Sequence, residues 1–257
     1  MLAPLALGVV WLGGVWLIAM VALAASGMGW EWTRLSGGAA QGRVGVLAAL
    51  IITVLLAGIV AVGSGADALA LGIALLGGVA VWGVAAALGA RKPIWTGAGT
   101  IWIALPCIAL LWIDEGAQGA ILLFWLFAVV WASDIGAYVF GRSLGGPRLA
   151  PRYSPNKTWS GAVGGLICSG LAGLAAAYLA GAHPGFIVAA SVLLSVVAQI
   201  GDLAESLAKR TFGVKDSGGI IPGHGGLLDR LDSLLTAAPA LALLMGAIGG
   251  SPLEWHP

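Results

Sequence analysis

The stretch GDLAESLAKRTFGVKDSGGIIPGHGGLLDRLDS, residues 201–233, concentrates charge in an otherwise apolar chain. It contains five of the eleven acidic residues and four of the twelve basic residues, although only 9% of the 257 residues are charged. The acids are Asp202, Glu205, Asp216, Asp229 and Asp232, and the bases are Lys209, Arg210, Lys215 and Arg230. Charge of this density beside apolar runs predicts a polar site at the edge of a membrane.

Hydropathy defines the fold class. Hydrophobic residues make up 60% of the chain, and the mean hydropathy is +1.00, which is typical of polytopic membrane proteins. Runs close to the roughly 20 residues needed to cross a bilayer predict spans at 44–62, 68–90, 99–113, 119–141, 160–181, 185–208 and 230–250. The run at 99–113 is short, which suggests a tilt or an interruption at Pro106.

The first 35 residues allow two interpretations. No Lys or Arg precedes Arg34, so the segment lacks the positive start of a secretory signal and is predicted to be retained. It either crosses once over residues 3–25, with Trp30 and Trp32 at the interface, or turns at Gly13 and Gly14 into two helices. We favour the turn. The prediction is therefore an all-α polytopic membrane protein with about nine transmembrane helices, or eight with a single crossing.

No polar stretch is long enough to fold separately and no internal repeat is evident, so residues 1–257 are predicted to form a single transmembrane domain. Residues 1–118 would supply N-terminal helices, and residues 119–257 would supply the helices and loops of the site. The net charge is only +1, which gives no indication of a nucleic-acid partner.

The basic residues predict the orientation. All twelve lie in four alternate connections: Arg34 and Arg43, Arg91 and Lys92, residues 142–157, and residues 209–230. The other connections contain Asp67, Asp114, Glu115, His183 and Glu254 and no basic residue. Because cytoplasmic loops are enriched in Lys and Arg, residues 201–233 and the loop at 142–159 are predicted to face the cytoplasm.

Residues 189–210 are predicted to form one helix that begins within the membrane and ends at the cytoplasmic face. Asp202, Glu205 and Lys209 then share one face of this helix. A carboxylate at membrane depth is costly unless it is paired, bound to a metal or facing water. An ion pair with Lys209 is the alternative to a functional role for Glu205, whereas Asp202 has no basic residue one turn away.

The sequence GHGG at residues 223–226 follows this helix. Its glycines leave backbone N–H groups able to approach an anion, and backbone concavities of this kind bind phosphates. The segment does not contain the Walker A pattern. Lys209, Arg210 and Lys215 are either interfacial anchors at the end of the helix or part of the same anion site.

Asp229 and Asp232 lie three residues apart at the start of the last predicted helix and share one face. Acidic residues in a first turn also interact favourably with the helix dipole, which is the alternative for both. Carboxylates from this helix, together with Asp202, would form a site of oxygen ligands. Such a site suits Mg²⁺, which takes one or two carboxylates together with substrate phosphates.

A second polar stretch, SDIGAYVFGRSLGGPRLAPRYSPNKTWSG, covers residues 133–161. Asp134 ends an apolar run and is another acid at membrane depth. The loop after it carries Arg142, Arg148, Arg152 and Lys157 and leads into the next helix. It is either a basic loop that binds anionic lipid headgroups or a phosphate-binding loop at a helix N-terminus. The position of Asp134 beside it favours a nucleotide pocket.

The sequence SLAKRTFGVKDSGGIIPGHGGLLDRLD, residues 206–232, resembles the motif of the phosphatidate cytidylyltransferases, also called CDP-diacylglycerol synthases. Its Lys-Arg, Lys-Asp, Pro-x-His-Gly-Gly and Asp-Arg-x-Asp elements have the spacing of that family. SDIGAYVFGR, SPNKTWSG and Trp30-Glu31-Trp32 are also similar to the family, so the resemblance extends along the chain.

The resemblance implies a nucleotidyltransferase that moves CMP from CTP to phosphatidate, giving CDP-diacylglycerol and pyrophosphate in phospholipid biosynthesis. It implies a multi-pass protein of a bacterial-type cytoplasmic (inner) membrane, with its site facing the cytoplasm. CTP, phosphatidate and membrane lipid would be its partners, and the resemblance is compatible with a homodimer. Mg²⁺ would be held by Asp202 and Asp229, with a second cation left open.

The other site residues receive roles within that reaction. Phosphate charge would be stabilised by Lys209, Arg210, Lys215 and Arg230. Asp216, Asp232 and His224 join this catalytic group, and His224 would position the loop, donate to a phosphate or act as a general acid. Substrate and nucleotide would be bound by Asp134, Ser154, Lys157, Thr158, Glu205, Gly225 and Gly226.

Two other functions share some of these sequence features. A cytidylyltransferase acting on a related lipid phosphate would differ only in its acceptor. A transporter would also place acids at membrane depth, but it would not need two glycine-containing basic loops on one face. The D-G-x-x-A-R pattern of CDP-alcohol phosphotransferases is absent from the sequence.

The alternation of basic and acidic connections makes a topological prediction. Cysteines introduced by Lys157→Cys and Asp114→Cys should react with a membrane-impermeant thiol reagent from opposite sides of sealed vesicles. The unsubstituted chain is the control for Cys107 and Cys168, which lie in apolar runs. Labelling of both introduced cysteines from one side would contradict the nine-helix topology.

Overall fold

The structure, a computed structural model, describes residues 2–36, 43–116, 118–220 and 225–254. These residues are mainly helical, because in lipid a helix satisfies its own backbone hydrogen bonds. The helices are α1 (Leu2–Leu12), α2 (Gly14–Ser36), α3 (Val44–Val62), α4 (Asp67–Ala87), α5 (Pro93–Glu115), α6 (Gly119–Leu144), α7 (Trp159–Ala180), α8 (Pro184–Thr211), α9 (Leu228–Leu231) and α10 (Leu234–Ile248). Strands β1 (Arg148–Ala150) and β2 (Ser154–Thr158) precede α7, and a 3₁₀ turn (Pro252–Glu254) follows α10.

Seven helices of the described residues, α2 to α8, are long and apolar enough to cross a membrane. Large apolar side chains of α4, such as Leu76 and Val79, are exposed along its length, as lipid-facing side chains are. The chain is therefore an all-α polytopic membrane protein, as its hydropathy predicts. Helix α1 has 11 residues and so rises only about 16 Å. The total of nine crossings stays a prediction.

The N-terminal break is confirmed at the predicted glycines. Helix α1 ends at Leu12, and Gly13 and Gly14 have φ angles of 59° and 50°. Glycine adopts this left-handed conformation without the strain that a Cβ atom would cause. The N–H of Gly14 donates to Asp114 Oδ2 at 3.0 Å, which ties the start of α2 to the end of α5.

Trp32 does not lie at a lipid interface, where the single-crossing interpretation placed it. Its side chain is 1% exposed, and its indole Nε1 donates to the carbonyl of Trp95 at 2.9 Å. The ring meets Trp102 edge-on, with centroids 5.9 Å apart. Gly99 permits this packing, because a Cβ atom there would overlap the indole of Trp32. Burial of a large aromatic ring is a strong stabilising contribution to such packing.

Two helices differ from their predicted bounds. Helix α5 extends over 23 residues and contains Pro106 in its interior, so the span is neither short nor interrupted as the run at 99–113 suggested. The span expected at 230–250 is instead divided into α9 and α10. The division falls where the N–H of Ser233 donates to Asp232 Oδ1 at 2.7 Å. Asp side chains compete with the helical backbone for such bonds, which interrupts the helix.

The chain forms two compact units. The first contains α1 to α5 together with Thr211–Leu231, and the second contains α6 to α8, the two strands and α10. The glycine-rich segment after α8, residues 217–228, belongs to the unit of the N-terminal helices. The expected division at residue 118 stays a prediction. The single domain over residues 1–257 stays a prediction.

Glycines bring helices close together in the second unit. A Cβ atom on Gly136 of α6 would lie 2.7 Å from both the Sγ of Cys168 and the carbonyl oxygen of Gly164 on α7. At Gly201 of α8, a Cβ atom would lie 2.9 Å from the carbonyl oxygen of Asp232. Small residues allow such approaches in transmembrane helices. The contact at Gly201 brings the polar end of α8 next to the start of α10.

The basic loop between α6 and α7 contains an antiparallel β-hairpin, which the sequence analysis did not predict. Arg148 pairs with Thr158 and Ala150 with Ser154. Residues 154–158 were expected to be loop, because these short polar strands lack an alternating apolar pattern. Thr158 then caps α7, since its hydroxyl oxygen accepts the N–H of Gly161 at 3.1 Å.

Candidate active site

The predicted site residues divide between the two units. Lys215, Asp216, Gly225, Gly226, Asp229 and Arg230 belong to the first, within Thr211–Leu231. The second contains Asp134, Ser154, Lys157, Thr158, Asp202, Glu205, Lys209, Arg210 and Asp232. His224 lies outside the described residues. The functional roles of all of them stay predictions, and the structure supplies the contacts that each described residue makes.

Asp202 has a basic partner that the helical spacing does not reveal. Its carboxylate forms an ion pair with the ammonium of Lys157, whose residue lies at the end of β2. Both side chains are about one-quarter exposed, at 28% and 26%. The partner therefore comes from the β-hairpin and not from the same helix. The pair brings together two residues that the sequence analysis assigned to the metal site and the nucleotide site.

Acidic groups are concentrated around the start of α10. The hydroxyl of Ser233 lies 3.5 Å from Asp134 Oδ1. Desolvation raises the pKa of Asp232 well above its ordinary value, and the negative charges of Asp202 and Glu205 raise this pKa further. Three of the predicted site acids are thus close enough in the second unit to influence one another electrostatically.

Glu205 is buried on the inner face of α8, with 2% of its surface exposed. Its Oε2 lies 2.7 Å from the Nζ of Lys209, one turn further along the helix. This is the i,i+4 ion pair that the sequence analysis gave as the alternative to a functional role. The pair neutralises charge at the end of α8, where its side chains are largely shielded from water. Its presence leaves the predicted substrate contact of Glu205 untested.

Arg210 holds the β-hairpin. Its Nε donates to the carbonyl oxygen of Tyr153 at 3.2 Å, in the turn between the two strands. Together with the Lys157–Asp202 pair, this contact fastens the hairpin to α8 at two points. The basic loop expected to bind phosphate is therefore held against the helix that carries the acids.

The glycine-rich segment is organised by a residue that the sequence analysis cited only within its resemblance motif. Glu31, near the end of α2, is 1% exposed. Its Oε1 accepts the N–H of Leu227 at 3.0 Å, and its Oε2 accepts the N–H of Leu228 at 3.0 Å. The hydroxyl of Ser217 also donates to Oε2 at 3.4 Å. An acid between two tryptophans in an apolar helix is the sequence signal that could have identified it.

Asp229 takes part in the same arrangement. Its Oδ2 accepts the N–H of Gly226 at 2.9 Å and that of Ser217 at 3.0 Å. The N–H of Gly226, expected to approach a phosphate, therefore has a carboxylate acceptor in this structure. Gly225 has a φ of 84°, the left-handed conformation that favours glycine. Lys215, Asp216 and Arg230 are exposed.

The beginning of this segment is fixed by α5 and the turn before it. The ammonium of Lys92 donates to the carbonyl oxygen of Thr211 at 2.6 Å and lies 5.5 Å from the ring centroid of Phe212. The same ring meets Trp95 and Trp32 edge-on, at centroid distances of 5.8 and 6.1 Å. These contacts explain why the chain after α8 packs with the N-terminal helices.

The donor atoms of the acids are carboxylate oxygens, which suit a hard cation such as Mg²⁺. Within the described ranges, no group of three or more His, Cys, Asp or Glu side chains is arranged as a set of metal ligands. A carboxylate offers about four acceptor positions, so the two backbone bonds to Asp229 are compatible with a metal ligand there.

Apolar helices that end in charged, glycine-rich segments define an integral membrane protein with a polar site. The chain matches the model of the cytidylyltransferase family over residues 1–248. It is 43% identical over 255 residues to the phosphatidate cytidylyltransferase of Brucella suis biovar 1 (strain 1330). The aligned region covers 98% of this chain and 92% of that protein. The chain therefore belongs to the cytidylyltransferase family and is an enzyme of that family.

Two further relatives carry the same name. The phosphatidate cytidylyltransferase of Brucella melitensis biotype 1 is also 43% identical over 255 residues, with the same coverage of 98% and 92%. That of Staphylococcus aureus (strain COL) is 43% identical over 134 residues, which is 51% of this chain and 52% of that protein. The family that residues 206–232 were found to resemble is confirmed by these similarities.

The ion pair at the end of α8 predicts a stability effect. Lys209→Met should lower Tm by about 5–10 °C, because it removes the ammonium beside a buried carboxylate. Adding Glu205→Gln should recover most of this loss, since no buried charge then remains at the pair. Thermal unfolding in detergent measures both effects, with the exposed Lys215→Met as control. An unchanged Tm for Lys209→Met would contradict the importance of the pair.

Proposed function

We propose that the protein transfers CMP from CTP to phosphatidate, giving CDP-diacylglycerol and pyrophosphate. The observation that carries this proposal is the 43% identity to a phosphatidate cytidylyltransferase over 98% of the chain. In this reaction an oxygen of the phosphatidate phosphate bonds to the α-phosphorus of CTP, and the bond to pyrophosphate breaks. The attacking oxygen is already anionic, so the protein need not supply a covalent nucleophile.

The main task of the side chains is then to neutralise and orient two polyanions. Lys209, Arg210, Lys215 and Arg230 would contact the lipid phosphate and the departing pyrophosphate. Their distribution supports this assignment, since all lie at the end of α8 or in the segment after it. Asp216, Asp232 and His224 belong to the same proposed group, although the role of His224 depends on residues that the structure does not describe.

The nucleotide would be bound by residues of the second unit. Lys157 and Asp202 form an ion pair, so a phosphate bound by Lys157 would lie close to that carboxylate. Ser154 and Thr158 are on the strand that carries Lys157, while Asp134 lies on α6. Glu205, Gly225 and Gly226 complete the substrate-binding set that we propose.

We further propose that Asp202 and Asp229 would hold Mg²⁺, which when bound would offset the negative charge of the CTP phosphates and polarise the reacting phosphorus. The support is the chemistry of the donors, since carboxylate and phosphate oxygens are the ligands that Mg²⁺ prefers. The site would accept a second cation if the phosphates supplied further oxygen ligands.

The relatives and the charge distribution support a bacterial membrane as the cellular setting. The named relatives are bacterial, which supports a cytoplasmic membrane. The basic residues lie at alternate connections between helices, which supports a site that faces the cytoplasm. The homodimer with which the resemblance is compatible stays a prediction.

An activity measurement tests the proposed reaction. Purified protein incubated with phosphatidate, Mg²⁺ and labelled CTP should transfer label to the lipid phase, and excess EDTA should abolish this transfer. Separate reactions with dCTP and with an ether-linked lipid phosphate define the substrates. Labelling of only another lipid phosphate would identify a different acceptor, and turnover that survives exhaustive EDTA treatment would contradict the metal proposal.

The metal ligands make a separate prediction. Asp202→Asn and Asp229→Asn should each reduce CMP transfer by at least about 100-fold, because an amide oxygen is neutral and binds Mg²⁺ poorly. Asp67→Asn, outside the proposed site, is the matched control and should retain activity. Monodisperse elution and an unchanged Tm would show that each variant is folded. Wild-type turnover by either folded site variant would remove that residue from the metal site.

A further inference from the structure

Glu31 is the only charged residue between Met1 and Arg34 in the sequence, and its carboxylate is buried. A buried charge is costly unless it is hydrogen-bonded. Glu31 meets this requirement with donors from both ends of the glycine-rich segment: Ser217 at one end, and Leu227 and Leu228 at the other. One side chain on α2 therefore binds residue 217 as well as residues 227 and 228, ten and eleven positions further along the chain.

Two glycines on the described parts of the segment lie close to this carboxylate. A Cβ atom at Gly218 would lie 2.5 Å from Glu31 Oε1, and one at Gly226 would lie 2.8 Å from Glu31 Oε2. These distances are too short for ordinary contact, so any side chain at either position would displace the carboxylate or the backbone. Glycine is required here for close approach, and the group approached is Glu31.

Glu31 and Asp229 share the same donors. Ser217 donates its hydroxyl to Glu31 and its N–H to Asp229. The N–H of Gly226 donates to Asp229, and the next two N–H groups, of Leu227 and Leu228, donate to Glu31. Movement of the Glu31 carboxylate would therefore move the backbone to which the Asp229 carboxylate is bonded. Charge-assisted bonds of this kind are stronger than neutral ones, so they hold the backbone firmly.

We propose that Glu31 is a positioning residue: its buried carboxylate closes the glycine-rich segment and thereby sets the position of Asp229 in the active site. The inference rests on the proposed function in one respect, namely that Asp229 binds Mg²⁺ during CMP transfer. Closure of the segment by Glu31 is independent of that function. Glu31 itself contacts backbone and Ser217, and we assign it no contact with substrate.

Hydrogen exchange measures closure directly. In Glu31→Gln the neutral side chain has one acceptor oxygen where the carboxylate has two, so it cannot accept from both Leu227 and Leu228 in the same way. Exchange of the amides at 226–228 should become at least about tenfold faster, while exchange in α3 and α4 stays unchanged. Thr33→Val is the matched control, because the Thr33 hydroxyl is buried on the same helix and donates only to the carbonyl of Gly29.

A pair of neighbouring glycines gives a second test in case Glu31→Gln fails to fold. Gly218→Ala places a methyl group against Glu31 and should accelerate the same amides. Gly219→Ala places it where no atom of the described part of the chain lies within 4 Å, so it should leave exchange and Tm unchanged. Ser217→Ala removes one donor from Glu31 and should produce a smaller change in the same direction. Equal behaviour of Gly218→Ala and Gly219→Ala would overturn the proposal.

Kinetics distinguish positioning from a general loss of folded protein. Partial misfolding lowers the amount of active enzyme and hence kcat, but it does not change the concentrations that give half-maximal rates. Glu31→Gln should instead raise the Mg²⁺ concentration for half-maximal activity about tenfold and leave KM for phosphatidate within about twofold of the wild type. Glu31→Asp keeps the charge but is one methylene shorter, and it should fall between Glu31→Gln and the wild type.

The outcomes separate the inference from the function on which it rests. Faster exchange confined to residues 217–228, together with the raised Mg²⁺ requirement, supports the proposal. Unchanged exchange in that segment, faster exchange throughout the first unit, or an unchanged Mg²⁺ requirement would each overturn it. If the wild-type protein transfers no CMP to phosphatidate, the proposed function fails, and the exchange experiment still decides whether Glu31 closes the segment.

Discussion

The buried carboxylate of Glu31 is the interaction on which the arrangement of the glycine-rich segment depends. A carboxylate removed from water needs donors to compensate for lost hydration, and among the residues that the structure describes its donors are Ser217, Leu227 and Leu228, all in the segment after α8. The carboxylate and the backbone groups that it contacts depend on each other. The carboxylate needs the backbone N–H groups, and these N–H groups, at residues without a complete helix around them, need an acceptor. Each satisfies the other, and glycines at 218 and 226 permit the short distances.

Charged residues that we propose for the site make structural contacts. Lys157 pairs with Asp202, Lys209 pairs with Glu205, and Arg210 binds the turn of the β-hairpin. In a membrane protein these contacts limit the cost of placing charge beside apolar helices. A substrate that carries several phosphate groups would compete for the same cations. The site is thus held together by groups of the kind that the proposed reaction uses, which ties the stability of the loops to their chemistry.

Much of the fold was accessible from sequence because hydropathy is a local property. The span at 44–62 coincides with α3, the predicted helix at 189–210 lies within α8, and the chain breaks at Gly13 as expected. Predictions from local sequence differed from the structure at three places. Asp232 interrupts the last span through a bond to Ser233, Pro106 is accommodated inside α5, and two strands form in a loop without apolar alternation. The candidate site was recognised by its charged residues, whereas the partner of Asp202 and the contacts of Glu31 were not.

The sequence by itself determined that the chain is a polytopic membrane protein and that residues 206–232 carry the motif of its family, since both depend on residue type and spacing along the chain. Only the tertiary structure decided which groups meet. Glu31 and Leu228 are 197 positions apart in the sequence, and Lys92 and Thr211 are 119 apart. No periodicity relates such residues. They come together only in the folded chain, where a buried charge such as that of Glu31 must find donors in whichever segment lies beside it.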